Sequence, residues 1–172
     1  KAKKTVVDIG IRLNPNTDAK TLKQISTGKK ENKFGVTEED FYKLVTFVKN
    51  SKYIDLKCLS VHIGSQILNH KPYKKMLDAV NRIIKKSHYN FDFIDLGGGM
   101  GISYDKKSKK LNYKEYNTAI NKFLKKNNSK IIFEPGRSIV GNIGVLISRV
   151  IYIKETKSKN FIILDAAMND LM

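Results

Sequence analysis

The chain has 172 residues, 41% of them hydrophobic, which suffices for one domain with a core or for part of a larger protein. No apolar run approaches the roughly 18–20 residues that cross a bilayer. The single cysteine, Cys58, excludes an internal disulfide bond and suits a reducing compartment. We therefore expect a cytoplasmic protein without a membrane span. The apolar pattern is already under way at Val6, so we also expect a piece of a longer chain.

The net charge of +17 raises the alternative of a nucleic-acid-binding protein, whose affinity would fall steeply with salt. Only four of the 33 basic residues are arginine, however, and the lysines are scattered along the chain. No zinc finger, RNP pattern or basic heptad accompanies them. We therefore predict no nucleic-acid partner.

Apolar stretches that end at a proline or a glycine predict four strands, and amphipathic stretches predict a helix between each pair. The predicted strands are Val6–Asn14, Leu56–Gly64, Phe91–Gly99 and Lys130–Gly136. Thr37 is the expected N-cap of the first helix, with Asp40 completing a near capping box. Pro72 suits the first turn of the second helix, and the third spans about Tyr113–Lys126.

Strands that alternate with helices predict a parallel sheet with the helices outside. Four such units make half of a (β/α)₈ TIM-like barrel. After Gly141 the pattern changes, because "GVLISRVIYIKET" and "NFIILDAAM" predict strands with no helix between them. We expect an α/β fold in which residues 1–140 form the C-terminal half of a barrel, with the other half upstream of Lys1. Residues 141–172 would begin a β-rich C-terminal domain.

The functional residues of parallel barrels gather at the C-terminal ends of the strands. Three of the predicted strands end in unusual sequences, "VHIGSQ", "DLGGGMG" and "EPGR". The candidate site residues in these sequences are His62, Ser65, Gly97, Gly98, Gly99, Glu134, Pro135, Gly136 and Arg137. Successive glycines allow backbone N–H groups to approach an anion closely, so these strand ends predict a phosphate site.

Each of these features has a simpler explanation. The glycines could make a tight turn, His62 could be structural, Glu134 and Arg137 could form a local ion pair, and Cys58 is expected to pack in the core. The convergence of a histidine, a serine, two glycine turns, a glutamate on the buried side and an arginine at one barrel mouth favours a functional site.

The ligand that suits this set of residues is pyridoxal phosphate. Glycine turns and Ser65 fit a phosphate monoester, and a flat imidazole can stack on a flat ring. A carboxylate at a strand end can keep a pyridine nitrogen protonated, because an opposite charge favours the charged form. The protonated ring is then an electron sink for a carbanion.

Five stretches together resemble the diaminopimelate decarboxylases, which belong to the fold-type III, alanine-racemase-like class of pyridoxal phosphate-dependent decarboxylases. The stretches are "RLNPNTDAKTLKQISTGKKENKFG", "VHIGSQ", "DLGGGMGISY", "EPGRSIVGNIGVLISRV" and "ILDAAMNDL". The resemblance implies decarboxylation of meso-diaminopimelate to L-lysine and CO₂, the last step of lysine biosynthesis. It also implies a homodimer with active sites at the subunit interface.

The resemblance further implies a role for each candidate residue. His62 would stack on the cofactor ring and Glu134 would pair with its pyridine nitrogen. Ser65 and Gly97–Gly99 would hold the phosphate, joined by backbone groups in the segment from Pro135 to Arg137. Arg137 would also bind the distal carboxylate of the substrate, for which the planar guanidinium fork is better matched than lysine.

Two parts of the family site are missing from this sequence. It contains neither a Tyr-Ala-x-Lys-like motif for the cofactor-linking lysine nor the C-terminal cysteine motif, for which Cys58 is no substitute. Lys29, Lys30 and Lys33 lie in a polar loop and are expected to be solvated. We expect the chain alone to be inactive. The alternatives are a relative that acts on arginine, ornithine or carboxynorspermidine, and a non-catalytic relative.

Overall fold

A computed structural model describes residues 5–19, 28, 33–104 and 110–170. The predicted lysines Lys29 and Lys30 lie outside these residues. Four parallel strands form one sheet in the order β1-β2-β3-β4. Their bounds are β1 Val7–Arg12, β2 Ile54–Ser60, β3 Phe93–Asp95 and β4 Lys130–Ile132. The predicted α/β fold with a parallel sheet is confirmed.

Helices connect the strands, as predicted. They are α1 Glu38–Lys49, α2 His70–Ser87 and α3 Tyr113–Leu124, followed by a single turn, α4 Arg137–Val140. The predicted cap is confirmed, because the Asp40 N–H donates to Thr37 Oγ1 at 3.2 Å and the Thr37 hydroxyl donates to the Asp40 carboxylate at 2.8 Å. Pro72 lies in the first turn of α2, whose cap is Asn69.

The core lies between one face of the sheet and the helices. Strand side chains such as Leu59 of β2 and Ile94 of β3 are completely buried there with Phe41 of α1 and Met76 of α2. The residues predicted to form the site follow the C-terminal ends of β2, β3 and β4.

A β-bulge in β2 shifts by one residue the alternation of side chains between the two faces of the sheet. Ile9 of β1 pairs with Leu56, but Gly10 pairs with Cys58, so Lys57 is the extra residue. Cys58 consequently turns away from the helices and is only half-buried. The prediction that Cys58 packs in the core is therefore wrong. Burial nevertheless raises the pKa of its thiol.

An ion pair joins the first two helices. Arg82 of α2 donates two hydrogen bonds, each 2.7 Å long, to the carboxylate of Glu38 in α1, and the Tyr42 hydroxyl donates a third at 2.8 Å. These bonds, led by those of Arg82, lower the pKa of Glu38 to about 2. The carboxylate thus remains charged across the physiological range and holds α1 against α2 beside the sheet.

The chain divides into two compact units, residues 1–139 and 140–172. The first contains the sheet, and both of its edge strands carry exposed apolar side chains: Val7 on β1 is 54% exposed, and Ile132 on β4 is 39% exposed. The second contains an antiparallel pair, β5 Val150–Glu155 and β6 Asn160–Leu164. No helix in the described part of the chain is long and apolar enough to cross a membrane.

Candidate active site

His62 lies two residues beyond the end of β2, where it meets the glycine turn that follows β3. The backbone N–H of Gly98 donates to His62 Nδ1 at 3.2 Å. Nδ1 must therefore carry a lone pair, which places the proton of the neutral ring on Nε2. The contact fixes the plane of the imidazole against the turn.

The surroundings of His62 also favour its neutral form. Burial lowers the pKa of His62 below its ordinary value, and the guanidinium of Arg12 lowers it further, while the carboxylates of Glu134 and Asp95 oppose the shift. An imidazole with this tautomer and charge is a flat, neutral surface at physiological pH.

The lowered pKa gives His62 a predicted effect on stability. Because the folded protein binds this proton less well than the unfolded chain, the free energy of unfolding should fall as pH drops below the unfolded value of about 6.5, and should level off below the folded pKa. We expect His62→Gln to reduce this loss. Denaturant unfolding at pH 7.5 and pH 5.0 measures this loss in the complete protein and in its His62→Gln variant. An equal loss of stability in the two proteins would show that His62 does not cause it.

The glycine turn after β3 packs so tightly that side chains are excluded. Gly97 and Gly99 have left-handed backbones, with φ of 64° and 87°. A Cβ at Gly97 would lie 2.7 Å from His62 Nδ1, one at Gly98 would overlap the carbonyl oxygen of Glu134, and one at Gly99 would overlap that of Gly64. The turn therefore presents backbone alone to whatever lies at the strand ends.

Asp95, the last residue of β3, holds this turn in place. Its Oδ1 accepts the N–H of Gly97 at 2.8 Å, and its Oδ2 accepts the hydroxyl of Ser60 at 3.4 Å. Asp95 was not predicted from the sequence to belong to the site, although an aspartate two residues before a glycine is a common turn signal. Arg12, which acts on His62 from the end of β1, was also not selected.

Glu134 lies two residues beyond β4, beside the same turn. Its backbone N–H donates to the carbonyl of Gly97 at 2.9 Å. In this chain β4 is an edge strand and Glu134 is exposed, so the expected position on the buried side is not observed. Among the described residues no ion pair joins Glu134 to Arg137, so the alternative of a local ion pair is also not observed.

Arg137 begins α4 and is half-buried. Its guanidinium donates to Gln66 Oε1 at 3.4 Å and lies 5.8 Å from the centre of the Tyr104 ring. Gln66 also was not selected from the sequence. Gly136 is open, since a Cβ there would meet no atom within 4 Å, and its neighbour Pro135 is exposed.

The structure thus brings together His62, Gly97, Gly98 and Glu134 through direct contacts. Gly99 closes on Gly64 in the loop after β2, which also carries the half-buried Ser65. Arg137 reaches that loop through Gln66. A neutral ring, a turn of bare backbone, a carboxylate and a guanidinium therefore lie at the C-terminal ends of three adjacent strands. Such a set can hold an anion, a flat ring and a second charged group.

Comparison with known proteins gives concordant matches. The model of the pyridoxal-dependent decarboxylase family, for its pyridoxal binding domain, matches residues 1–141. The diaminopimelate decarboxylase of Zymomonas mobilis is 41% identical over 170 residues, which are 95% of this chain and 40% of that protein. The chain therefore spans about 40% of the length of this relative.

Solved structures show the same likeness. The crystal structure of diaminopimelate decarboxylase from Helicobacter pylori complexed with L-lysine has a TM-score of 0.83 at 40% sequence identity, and the match covers 96% of this chain and 42% of that one. The arginine decarboxylase of Paramecium bursaria Chlorella virus has a TM-score of 0.65 at 22% identity, covering 87% of this chain and 40% of that one, and shares the fold alone.

Proposed function

The chain belongs to the pyridoxal-dependent decarboxylase family, and from this premise we propose that it is part of a diaminopimelate decarboxylase, which converts meso-diaminopimelate to L-lysine and CO₂. The observation that carries the proposal is the convergence of His62, the Gly97–Gly99 turn and Glu134 in a chain about 40% identical to diaminopimelate decarboxylases.

The described residues fit pyridoxal phosphate. A phosphate needs closely spaced backbone donors, and the turn at Gly97–Gly99 has no room for side chains that would block them. The N–H groups of Gly97 and Gly98 already donate to Asp95 and His62 and shape the turn. We assign the phosphate to the remaining N–H of this turn, that of Gly99, to Ser65 and to backbone groups of Gly136 and Arg137. The neutral imidazole of His62 would stack on the ring, with Pro135 beside it.

Glu134 would face the pyridine nitrogen. Its carboxylate would hold a proton on that nitrogen, because an opposite charge nearby stabilises the charged form. The cofactor, when bound, supplies an electron sink for the electron pair that remains when the α-carboxylate leaves as CO₂. The exposed position of Glu134 leaves its carboxylate accessible to such a ring.

Arg137 would bind the distal carboxylate of the substrate. Its guanidinium offers a planar fork of N–H donors that matches a carboxylate. No carboxylate of the described residues forms an ion pair with it, so a carboxylate from a ligand meets no internal competitor there.

We further propose that residues 1–140 are half of a TIM-like (β/α)₈ barrel and that residues 141–172 begin a β-rich domain. The exposed apolar side chains on both edge strands of the sheet support continuation of the sheet on either side. The complete enzyme would be a cytoplasmic homodimer with active sites at the interface. The 172-residue chain alone would be inactive, because it lacks the cofactor-linking lysine motif and the cysteine motif.

Release of CO₂ from the complete protein tests the proposal. Purified protein loaded with pyridoxal phosphate is offered meso-diaminopimelate, arginine, ornithine and carboxynorspermidine separately. We expect kcat/KM to be highest for meso-diaminopimelate. A preference for ornithine or arginine would overturn the substrate assignment, and no release from any of the four would favour a non-catalytic relative.

A further inference from the structure

Gln66, in the loop after β2, adopts a backbone conformation that is uncommon for its residue type. Its φ is 59°, in the left-handed region that favours glycine. Such a conformation persists only where the surrounding contacts fix it. The contacts of Gln66 therefore indicate what this position does.

The side-chain amide of Gln66 pairs with the backbone of Ile102 in the loop after β3. Nε2 donates to the Ile102 carbonyl at 2.6 Å, and Oε1 accepts the Ile102 N–H at 3.2 Å. Reversing the amide would set donor against donor and acceptor against acceptor, so the two bonds fix its orientation. The position of Oε1 is thereby determined.

The loop after β3 is shaped around this amide. A Cβ on Gly101 would lie 3.0 Å from Oε1 and 2.9 Å from the carbonyl carbon of Gln66. The Gly101 N–H also donates a hydrogen bond to the Ile67 carbonyl at 3.1 Å. The two loops therefore form one unit with the Gln66 amide at its centre.

The fixed Oε1 accepts from Arg137 Nη1 at 3.4 Å, while the face of Tyr104 lies 5.8 Å from the guanidinium carbon. The guanidinium is thus oriented from two directions by neutral groups. Neither neighbour neutralises its charge, and the long bond to Gln66 uses only one of its five donors. Within the described part of the chain its other donors have no partner, so they can pair with a carboxylate.

We propose that Gln66 is a positioning residue for substrate specificity, which orients Arg137 toward the distal carboxylate of the substrate. This inference rests on the proposed function. It assigns to Gln66 a role that neither phosphate binding nor ring stacking requires. Its loss should accordingly weaken only those ligands that carry a distal carboxylate.

Two variants of the complete enzyme test the role. Gln66→Met keeps the length of the side chain and removes its hydrogen bonds. Gln66→Gly removes the side chain and its two bonds to Ile102 but relieves the left-handed backbone, and denaturant unfolding of both variants shows that the fold is retained before their kinetics are compared. Asn117→Met, at an exposed amide on α3, is the matched control. Both Gln66 variants should raise KM for meso-diaminopimelate about 10-fold or more, with kcat within about twofold.

Calorimetry supplies a readout that does not depend on catalysis. L-lysine retains the distal carboxylate, whereas 1,5-diaminopentane has none. In both Gln66 variants the Kd of L-lysine should rise about 10-fold, while the Kd values of 1,5-diaminopentane and of pyridoxal phosphate stay within about twofold of the unmodified enzyme.

Equal weakening of L-lysine and 1,5-diaminopentane, or unchanged binding of both, would overturn the role of Gln66. The unmodified enzyme separates this failure from a failure of the proposed function. If the unmodified enzyme neither decarboxylates meso-diaminopimelate nor binds L-lysine, the proposed function is wrong and the inference falls with it.

Discussion

Glu134→Ala is expected to lower kcat for decarboxylation by about 10²–10³-fold or more while leaving the phosphate of the cofactor bound. The carboxylate is the only part of Glu134 that could hold a proton on the pyridine nitrogen. Its backbone N–H, which donates to the carbonyl of Gly97, is unaffected by the change. The phosphate turn should therefore keep its shape, and the variant should separate ring chemistry from phosphate binding.

Equilibrium dialysis of pyridoxal phosphate and CO₂ release from meso-diaminopimelate measure the two effects in the complete enzyme. Glu134→Gln should be nearly as slow as Glu134→Ala, because an amide cannot carry the charge that stabilises a pyridinium. Glu39→Gln, at an exposed carboxylate in the first turn of α1, should retain full activity. A rate within about threefold of the unmodified enzyme in Glu134→Ala would show that the ring-nitrogen role is wrong.

Local patterns in the sequence predicted the elements that depend on local chemistry. The cap of α1 follows from Thr37 and Asp40, whose hydrogen bonds span three residues. The position of His62 and Gly98 at one edge of the sheet was predicted from a general rule, that parallel strands bring their C-terminal ends to the same edge. The cap required only a local pattern, and the common edge required only the order of strands and helices.

Features that depend on tertiary contacts were not predicted. The amide of Gln66 bonds to Ile102 across 36 positions of sequence, and no local pattern distinguishes it from a solvated loop residue. The bulge at Lys57 turns Cys58 away from the helices, and β2 contains no proline or glycine from which the bulge could be predicted.

Gly98→Ala should weaken both the fold and the binding of pyridoxal phosphate. Gly98 does not have a left-handed backbone, unlike its neighbours Gly97 and Gly99, so backbone strain is not the reason. The added methyl group would instead overlap the carbonyl oxygen of Glu134, a backbone atom that cannot rotate away. The turn and the segment after β4 must then separate, and overpacking of this kind lowers the free energy of unfolding by about 1–3 kcal/mol.

The same separation would move three groups of the proposed site at once. Gly98 donates to His62, and Glu134 donates to the adjacent Gly97, so a shift at Gly98 displaces the ring, the phosphate turn and the carboxylate together. Because a displacement of about 1 Å can lower activity about 10²-fold, we expect a loss of that order in kcat/KM and a rise of at least about 10-fold in the Kd of pyridoxal phosphate.

Gly144→Ala, where a Cβ meets no atom within 4 Å, should change the free energy of unfolding by less than about 0.5 kcal/mol. If Gly98→Ala and Gly144→Ala had the same Kd for pyridoxal phosphate and the same free energy of unfolding, the close contact between the turn and Glu134 would not shape the site.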